Sequence, residues 1–580
     1  MIWHFENLAR SRKEREAIEA LAAQVEWLTT RGWRIDGSLR LILDADIATS
    51  ARSYPVCLRY PNHFPHSPPL VLPRGESARW SAHQYGAGGE LCLEHGTDNW
   101  HPDLTGADML RSAHRLLEGE VPVDGDPRVV ASRHETTLGQ NWRFEYSRFL
   151  VTPEFIDMAT SLADGVVCEA KAFGTYHEES FVNIIGTVTL PAGSVWQEPN
   201  LPGVLRQELH ERSVAVVRWP EGLPTPSLDT LTAFRAACAE RNIIIPATRF
   251  VLLLHGTDMR SYLLVEDSDR VWQTSVIVPP ATSQRLDEQH GVLSARKVAV
   301  VGCGSLGSKI AVMLARSGVG RFLLVDDDML FPDNLVRHEL DWREVATHKV
   351  DSVARRIQLV NPLAVCEKRH HRLGGQEASG SLESLIESLS GCDLLIDATA
   401  DPAVFNYLCA VVAVAKKPLA WAEVFGGGFG GLIARHRPGV EPEPARMRRA
   451  IEQWCVDRGR PIERAARDYA GGPTMPLIAD DTDVTVIASH GARLVIDTLI
   501  GREPSTFPYS VYLIGLASKW IFDAPFDTYP IDVGPPPSSE AEPQLTEEEA
   551  AAERSRIVQL LVDYQDASSS DSTNSQTPSS

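Results

Sequence analysis

The sequence has 580 residues, of which 43% are hydrophobic and 23% charged, so it has the composition of a globular protein of about three or four domains. The net charge of −21 argues against a nucleic acid or an anionic membrane as partner, because phosphate binding needs clustered Lys and Arg. Nine cysteines without a CxxC pair, a charged N-terminus and no run of about 18 apolar residues favour a cytoplasmic protein without a disulfide framework, a structural zinc site or a membrane span.

The first predicted unit covers residues 1–150 and mixes helix and strand. Residues 1–30 are predicted to form a helix, because apolar residues recur there at helical spacing. Three short β-like runs with clustered prolines follow, and a loop rich in Gly and His then leads to Cys92. A helix over residues 106–117 closes the unit.

Two further domains and a tail are predicted. Residues 151–289 form a β-rich middle domain with one helix near 228–241 and no catalytic motif. Residues 290–533 alternate apolar strands and helices, which is typical of a parallel α/β sheet. Residues 534–580 are rich in Pro, Ser and Glu and are predicted to be a largely disordered tail, with a charged stretch near 546–563 that favours a helix.

A glycine-rich turn is the sharpest motif of the third domain. A buried strand ends at Val301, and Gly302, Gly304 and Gly307 then form a G-x-G-x-x-G turn that opens a helix. Such glycines let the backbone approach phosphates, and the helix N-terminus favours their charge. Asp326 follows the next strand, where it is placed to bond a ribose hydroxyl. The turn alone would also suit NAD, FAD or S-adenosylmethionine, and Asp326 alone could be a surface turn residue.

Polar residues after the second strand decide against a dehydrogenase. Asn334, Arg337 and Lys349 are three donors that suit a nucleotide triphosphate. The run D-x-D-x5-N-L-x-R, from Asp326 through Asp328, with the following Lys and R-x-x-x-x-N-P, resembles the adenylation domain of ubiquitin-activating enzymes and their ThiF/MoeB relatives. The segment CDLLIDATADPAVFNYL is also similar to that family, and the resemblance covers about residues 290–525.

The resemblance implies a Rossmann-like adenylation domain that uses ATP and Mg²⁺. By carry-over, the three glycines cradle the phosphates and Asp326 holds the ribose, with Asp328 beside it in the nucleotide site. Asn334, Arg337 and Lys349 would bind phosphates, and the two cations would act catalytically by stabilising charge as pyrophosphate leaves.

The magnesium ligand departs from the family pattern. The family usually has D-x-T-D-N, whereas this chain has Asp397-Ala-Thr-Ala-Asp401, so the second acid has moved by one position. Either Asp397 or Asp401 is therefore a candidate metal ligand, and Asp397 is also a candidate nucleotide contact. The CxxC zinc pairs of many relatives are absent, as in the zinc-free branches.

The region around Cys92 resembles a second family. The segment YPNHFPHSPPLVLP and the order Gly89, Cys92, Trp100-x-Pro102 and Thr105 before a helix are similar to ubiquitin-conjugating enzymes. The match covers about residues 15–120, and it implies an α+β conjugating-like domain with Cys92 as the thioester nucleophile.

The residues themselves also favour a reactive Cys92. A single Cys is more often a buried apolar residue, but Cys92 lies between a Gly-rich loop and a polar turn, with His83 and His95 nearby as candidate bases. Ubiquitin-conjugating enzymes usually have His-Pro-Asn before the Cys, and the Asn supports an oxyanion. Here His83 is kept and Gln84 follows it, so the Asn is missing and the oxyanion donor is left open.

A second catalytic cysteine is not evident. Thioester-forming activating enzymes carry one before a late helix, and the nearest here is Cys455, in a segment with a helical apolar pattern. Cys455 is therefore either a catalytic relay or a structural residue, and direct transfer from the adenylate to Cys92 is the alternative.

A conjugating and an activating unit on one chain resemble bacterial conjugation proteins of antiphage operons, among them those of cyclic-oligonucleotide (CBASS) systems. The resemblance implies that a partner protein with an activated C-terminus, either a cyclic-nucleotide synthase or a ubiquitin-like protein, is ligated to a lysine or other amine of a target. Two alternatives are an enzyme that adenylates a sulfur-carrier protein and a scaffold without catalysis. A homodimer through residues 295–525 is expected, with the late apolar helix VTVIASHGARLVIDTLI as a candidate buried element.

Overall fold

The computed structural model contains two compact units, Met1–Phe144 and Glu145–Ser580. Its mixture of helices and several sheets confirms the predicted α/β class. The residues that the structure describes are 2–75, 79–81, 83–86, 88–121, 130, 139, 146–177, 180–226, 230–279, 286–375, 379–461, 479–536 and 546–573.

The first unit has a four-stranded antiparallel sheet in the order β1-β2-β3-β4, a short hairpin β5-β6 and three helices. The helix predicted over residues 1–30 is divided at Asn7 and ends at Gln24, because Val25 is already extended and strand β1 begins at Leu28. The elements are α1 (Trp3–Glu6), α2 (Leu8–Gln24), β1 (Leu28–Ile35), β2 (Leu41–Ala48), β3 (Ser53–Arg59), β4 (Leu70–Pro73), β5 (Gln84–Tyr85), β6 (Glu90–Leu91) and α3 (Gly106–Gly119).

A buried carboxylate ties α2 to the start of α3. Glu14 is fully buried and accepts hydrogen bonds from the Tyr60 hydroxyl at 2.8 Å and from the Gly106 N–H at 2.7 Å. Arg10 lies one helical turn away, with its Nη2 2.9 Å from Glu14; Nη2 also donates to the Leu104 carbonyl, and Nη1 donates to the Pro102 carbonyl. The network therefore anchors the segment that leads from Cys92 into α3.

The second unit begins with the β-rich middle region. Seven of its eight strands pair in a closed ring, in the order β9-β7-β14-β13-β12-β11-β8 and back to β9, while the three-residue β10 pairs with β9. The interior and the α6 side each have an apolar core, because residues alternate along the strands. The elements are β7 (Ser147–Leu150), α4 (Pro153–Thr160), β8 (Val167–His177), β9 (Ser180–Thr189), β10 (Val195–Gln197), α5 (Gly203–Arg206), β11 (His210–Trp219), α6 (Leu231–Ala239), β12 (Phe250–His255), β13 (Asp258–Val265) and β14 (Arg270–Ile277).

The rest of the second unit is built around an eight-stranded sheet. Its elements are β15 (Lys297–Val301), α7 (Ser305–Arg316), β16 (Arg321–Val325), α8 (Lys349–Val360), β17 (Val365–Arg369), α9 (Ser379–Ser390), β18 (Leu394–Asp397), α10 (Pro402–Ala415), β19 (Leu419–Val424), β20 (Gly430–His436), α11 (Pro444–Asp457), α12 (Asp481–Ile500), β21 (Val511–Gly515), β22 (Thr528–Ile531) and α13 (Glu547–Thr573). Short 3-10 helices lie at Glu266–Ser268, Glu288–Ala295, Pro332–Val336 and Trp342–Glu344.

The strand order of this sheet is β17-β16-β15-β18-β19-β20-β21-β22. Strands β15 to β19 are parallel, and the last three are antiparallel. The order in which strands are added to the sheet reverses between β15 and β18, so the crevice at their carboxyl ends is the point where open α/β sheets bind ligands. Arg355 of α8 pairs with Glu208 of the middle region.

Helix α12 contains the late apolar segment that was predicted from the sequence to be a candidate buried element of a homodimer. Its buried residues, such as Ile487 and Leu494, belong to the core between α7 and the sheet. Its apolar face is therefore used within the chain, and the homodimer stays a prediction.

Within the predicted tail, helix α13 spans Glu547–Thr573 and is longer than the charged stretch that favoured a helix. Its side chains Ile557, Leu560 and Leu561 are exposed. Among the described residues, no helix is long and apolar enough to cross a membrane.

The buried Glu14 network gives a first prediction. We expect Glu14→Ala to reduce the free energy of unfolding of the first unit by about 3–5 kcal/mol, because it leaves the Arg10 charge buried without its partner. Hydrogen exchange at the Gly106 amide, measured by mass spectrometry, should accelerate. Glu16→Ala removes an exposed partner of Arg12 and should leave that exchange unchanged; equal protection in both variants would contradict the role given to Glu14.

Candidate functional site

The glycine turn brings the start of α7 against the end of β15. Gly302 has a φ of +88°, and its N–H donates to the Val325 carbonyl at 2.9 Å. A Cβ on Gly307 would lie 1.8 Å from the Gly302 carbonyl oxygen, so only glycine fits there. Gly304 caps α7 without a side-chain hydrogen bond, which leaves the first N–H groups of the helix available to an anion.

Three predicted residues meet at one edge of the sheet. Val301 is paired with both Val325 and Asp397, so the glycine turn, Asp326 and Asp397 lie at the carboxyl ends of neighbouring parallel strands. Asp326 accepts hydrogen bonds from the Cys303 N–H at 2.6 Å and the Asp328 N–H at 2.8 Å. Burial raises the pKa of Asp326 above its usual value, against these hydrogen bonds.

Asp328 and Lys349 form an ion pair. Lys349 is buried at the first position of α8, its ammonium donates to the Asp328 carboxylate, and its N–H donates to the Asp328 carbonyl at 3.0 Å. Burial alone would raise the pKa of Asp328, but the hydrogen bond and charge of Lys349 outweigh it and leave that pKa lowered. Lys349 is thus held at the site by a carboxylate with which a phosphate would compete.

Asn334 and Arg337 lie on the 3-10 segment Pro332–Val336 and directly after it. The Asn334 side-chain oxygen accepts from the Phe331 N–H at 3.0 Å, which shapes this turn. The Arg337 side chain is half-buried and makes no hydrogen bond or ion pair with the described residues, so it is a cation that no described side chain neutralises.

His338 was missed by the sequence analysis. Its Nε2–H donates to the Cys303 carbonyl at 2.9 Å, and its Nδ1 accepts from the Leu340 N–H at 3.2 Å. Burial lowers its pKa to about 4, so the ring is neutral and ties the segment after Arg337 to the phosphate loop. Its position next to Arg337 was the only sequence signal.

The two candidate metal ligands have different surroundings. Asp397 is buried at the end of β18 and accepts from the Thr399 N–H at 2.9 Å and hydroxyl at 2.6 Å. Burial raises its pKa to about 6, with the nearby Glu423 charge adding to the shift. Asp401 caps α10 by accepting from the Ala403 N–H at 2.8 Å. Glu423, at the end of β19, is a second acid that the sequence analysis did not identify.

These residues fit ATP with magnesium. Across the described ranges no group of three or more His, Cys, Asp or Glu side chains could hold a metal ion. Mg²⁺ is commonly held by one or two carboxylates together with substrate phosphates. Asp397 and a bound triphosphate would supply ligands of these two kinds.

In the first unit, Cys92 follows the hairpin β5-β6. Its N–H donates to the His83 carbonyl at 2.8 Å, and its thiol is partly exposed. Burial raises the pKa of Cys92 above its usual value. The His83 ring is buried and donates from Nε2 to the Val130 carbonyl at 2.6 Å, 3.9 Å from Glu120. His83 thus contacts Cys92 through its backbone, while its ring is bonded elsewhere.

The Gln84 side chain is also used in hydrogen bonds within the loop. Its side-chain oxygen accepts from the N–H groups of Trp80 and Ser81, at 2.5 and 3.1 Å, and its amide nitrogen donates to the Gly89 carbonyl at 2.8 Å. It therefore holds together the loop before Cys92.

Cys455 lies on α11 and is fully buried beside Met447 and Ile451. Burial raises its pKa to about 11. This is the environment of an unreactive thiol, and an acyl group could reach Cys455 only if α11 moved.

Comparison with known proteins assigns part of the chain to a family. Residues 282–445 match the ThiF family, so a ThiF-family domain is present. A relative from Sinorhizobium fredii, the uncharacterized protein y4qC, is 35% identical over 152 residues, which cover 25% of this chain and 26% of the relative. The ATP-dependent ubiquitin transferase-like protein Cap2 of Pseudomonas aeruginosa is 28% identical over 145 residues, 23% of this chain and 25% of the relative.

A longer match joins the chain to the adenylyltransferase and sulfurtransferase uba4 of Emericella nidulans, 30% identical over 319 residues, 53% of this chain and 57% of the relative. The chain thus matches only about a quarter of the length of y4qC and of Cap2. Among solved structures, MccB of E. coli with ATP is 18% identical, with a TM-score of 0.33 over 43% of this chain and 68% of that one.

The contact between Gly307 and Gly302 gives a second prediction. Gly307→Ala should lower the free energy of unfolding by about 1–3 kcal/mol, because the methyl group meets a backbone carbonyl that cannot rotate away. Gly304→Ala is the matched control, since Gly304 has a φ of −72° and no atom within 4 Å of an added Cβ. Thermal unfolding should separate the two variants, and equal melting temperatures would show that the loop is not packed as described.

Proposed function

Because the chain contains a ThiF-family domain, we propose that it uses ATP to adenylate the C-terminal carboxylate of a partner protein, transfers the acyl group to Cys92 and then joins it to a target amine. The observation that carries the proposal is the shared sheet edge at which the glycine turn, Asp326 and Asp397 meet. A partly exposed Cys92 on the same chain supplies the nucleophile that an acyl adenylate needs.

Each of these residues has a separate role in the adenylation step. The N–H groups at the start of α7 receive phosphates, and Asp326 accepts from the ribose hydroxyls. The partner carboxylate attacks the α-phosphorus, and pyrophosphate leaves as a mixed anhydride forms. Arg337 and Lys349 stabilise the charge that grows on the leaving group. Arg337 has no competing partner among the described residues, and Lys349 exchanges Asp328 for a phosphate.

Magnesium, when bound, would neutralise phosphate charge. Asp397 is the better of the two candidate ligands, because a pKa of about 6 leaves it ionised at neutral pH and it lies beside the glycine turn. Asp401 is engaged as the cap of α10.

Transfer to Cys92 keeps most of the energy of ATP cleavage in a thioester, which resists water better than the anhydride. A thiolate is a strong nucleophile near neutral pH, and linking both sites in one chain raises their effective concentration to about the millimolar range for a suitable tether. The raised pKa of Cys92 implies that deprotonation accompanies or precedes its attack. We propose no catalytic role for Cys455, because it is buried.

The finer proposal is that the partner is a cyclic-oligonucleotide synthase of an antiphage (CBASS) system. Relatives named Cap2 from several bacteria support it. A ubiquitin-like protein is the second candidate partner. The uba4 match favours a third reading, adenylation of a sulfur-carrier protein, in which the product would be a thiocarboxylate and Cys92 would be unnecessary.

A third prediction concerns adenylation. Arg337→Ala should reduce ATP–pyrophosphate exchange, measured with a candidate partner protein, by about 10²-fold or more, because one charge-stabilising donor is lost. Arg343→Ala is the matched control, since Arg343 is exposed and paired with Asp341 two residues away. Unchanged exchange in Arg337→Ala would refute the assignment of this cation.

A fourth prediction concerns the thioester. With ATP, magnesium and the same partner, intact-protein mass spectrometry should detect a thiol-sensitive adduct that maps to Cys92. Cys92→Ala should lose the adduct and the ligated product but retain ATP–pyrophosphate exchange. Ligation that persists in Cys92→Ala would exclude the conjugating role, and formation of a thiocarboxylate on the partner when sulfide is supplied would favour the sulfur-carrier reading.

A further inference from the structure

The hairpin β5-β6 has four side-chain positions on the face opposite Gln84 and Leu91, of which His83 is buried and Tyr85, Glu90 and Cys92 are partly or largely exposed. Gln84 pairs with Leu91 and both are buried, so side chains at the alternate positions point the other way. These are His83 and Tyr85 on one strand side and Glu90 and Cys92 on the other.

Tyr85 is the diagonal neighbour of Cys92 on this face. The Cys92 N–H bonds the His83 carbonyl, so residue 83 lies opposite Cys92 and Tyr85 lies two positions along. Diagonal neighbours on one face are about 7–8 Å apart, within reach of an aromatic side chain. The Tyr85 side chain is 49% exposed, so an incoming substrate can contact it.

The electrostatic surroundings keep the Tyr85 hydroxyl protonated. Burial of part of the ring, the Cys92 thiolate and the Glu90 carboxylate raise the pKa of Tyr85, and Arg59 opposes them. The phenol is therefore a hydrogen-bond donor and not a base at neutral pH.

The other polar groups of the hairpin are already bonded. The Gln84 amide is bound to Trp80, Ser81 and Gly89. The His83 ring is bound to the Val130 carbonyl. The Tyr85 hydroxyl makes no hydrogen bond to any described residue, so of the two side chains of β5 it is the one available to a group attached to Cys92.

We propose that Tyr85 is a catalytic residue whose hydroxyl donates a hydrogen bond to the oxyanion formed when an amine attacks the Cys92 thioester. The inference rests on the proposed function, since it needs an acyl group on Cys92. It names the donor for a transition state that the sequence analysis left without one.

The step balances without a further reagent. The amine nitrogen forms a bond to the thioester carbonyl carbon, and the π electrons of the C=O bond move to oxygen. Tyr85 donates to this oxyanion and keeps its own proton. The carbonyl re-forms, the C–S bond breaks, Cys92 leaves as a thiolate and the amine nitrogen gives its proton to solvent. Stabilisation of the oxyanion lowers the barrier to this step.

The test separates this step from adenylation. The full-length protein is loaded at Cys92 with a short peptide ending in Gly-Gly as its mercaptoethanesulfonate thioester, which acylates thiols without ATP, and peptide mapping confirms the site. Excess thioester is removed, and discharge to free lysine is followed by mass spectrometry. Tyr85→Phe should load to the same extent and discharge at least about tenfold more slowly.

Controls distinguish a hydrogen bond from packing. Tyr146→Phe removes another exposed tyrosine hydroxyl and should discharge at the wild-type rate. If Tyr85→Phe discharges like wild type while Tyr85→Ala is slow, the ring only packs against the site and the proposal is wrong. Absence of an adduct at Cys92 overturns it as well, because its role requires a reactive thiol there.

A separate arm of the experiment tests the proposed function on which the inference depends. If the peptide thioester loads Cys92 and Tyr85→Phe slows discharge, but ATP and the partner yield no adduct, the proposed function fails and the role of Tyr85 stands.

Discussion

The carbonyl oxygen of Gly302 lies where a side chain at position 307 would have to begin, 1.8 Å from an ideal Cβ. This contact lets α7 start directly against the end of β15, and the amide groups of its first turn consequently face the crevice between β15 and β18. A Cβ at Gly302 would in turn meet Thr399, so the same approach sets the distance to the β18 side, where Asp397 lies. His338 secures the loop from the opposite direction through the Cys303 carbonyl. The shape of the candidate nucleotide site therefore depends on having glycine at positions 302 and 307 more than on any single charged residue.

In the first unit, a buried ion pair holds a functional loop in place. The loop from Cys92 to α3 has little regular structure, and Glu14 and Arg10 hold its end by bonds to backbone groups of residues 102, 104 and 106. Gln84 does the same for the loop that precedes the hairpin. Cys92 is thus positioned by polar side chains on both sides of it, although burial raises the pKa of its own thiol.

The sequence was informative wherever a residue's role follows from local spacing. The glycine turn, the acid after β16 and the alternation of strands and helices are local patterns, and the structure places Gly302, Asp326 and Asp397 at one edge as parallel strands require. Side-chain direction is different, because it depends on contacts between distant segments. The turning of the His83 ring to Val130, the pairing of Lys349 with Asp328 and the buried position of Cys455 could not be derived from spacing. Glu423 and His338 escaped notice for the same reason, since only the packed sheet brings them to the site.

The closed ring of strands in the middle region has a consequence for a protein proposed to handle the extended C-terminal tails of others. An open sheet edge offers unpaired N–H and C=O groups, and a loose tail can add to it as an extra strand. In the ring, each of the seven strands has neighbours on both sides, and the short β10 offers only three residues. The middle region is therefore a poor template for strand addition. The C-terminal tail of a partner protein would not be held there by main-chain hydrogen bonds.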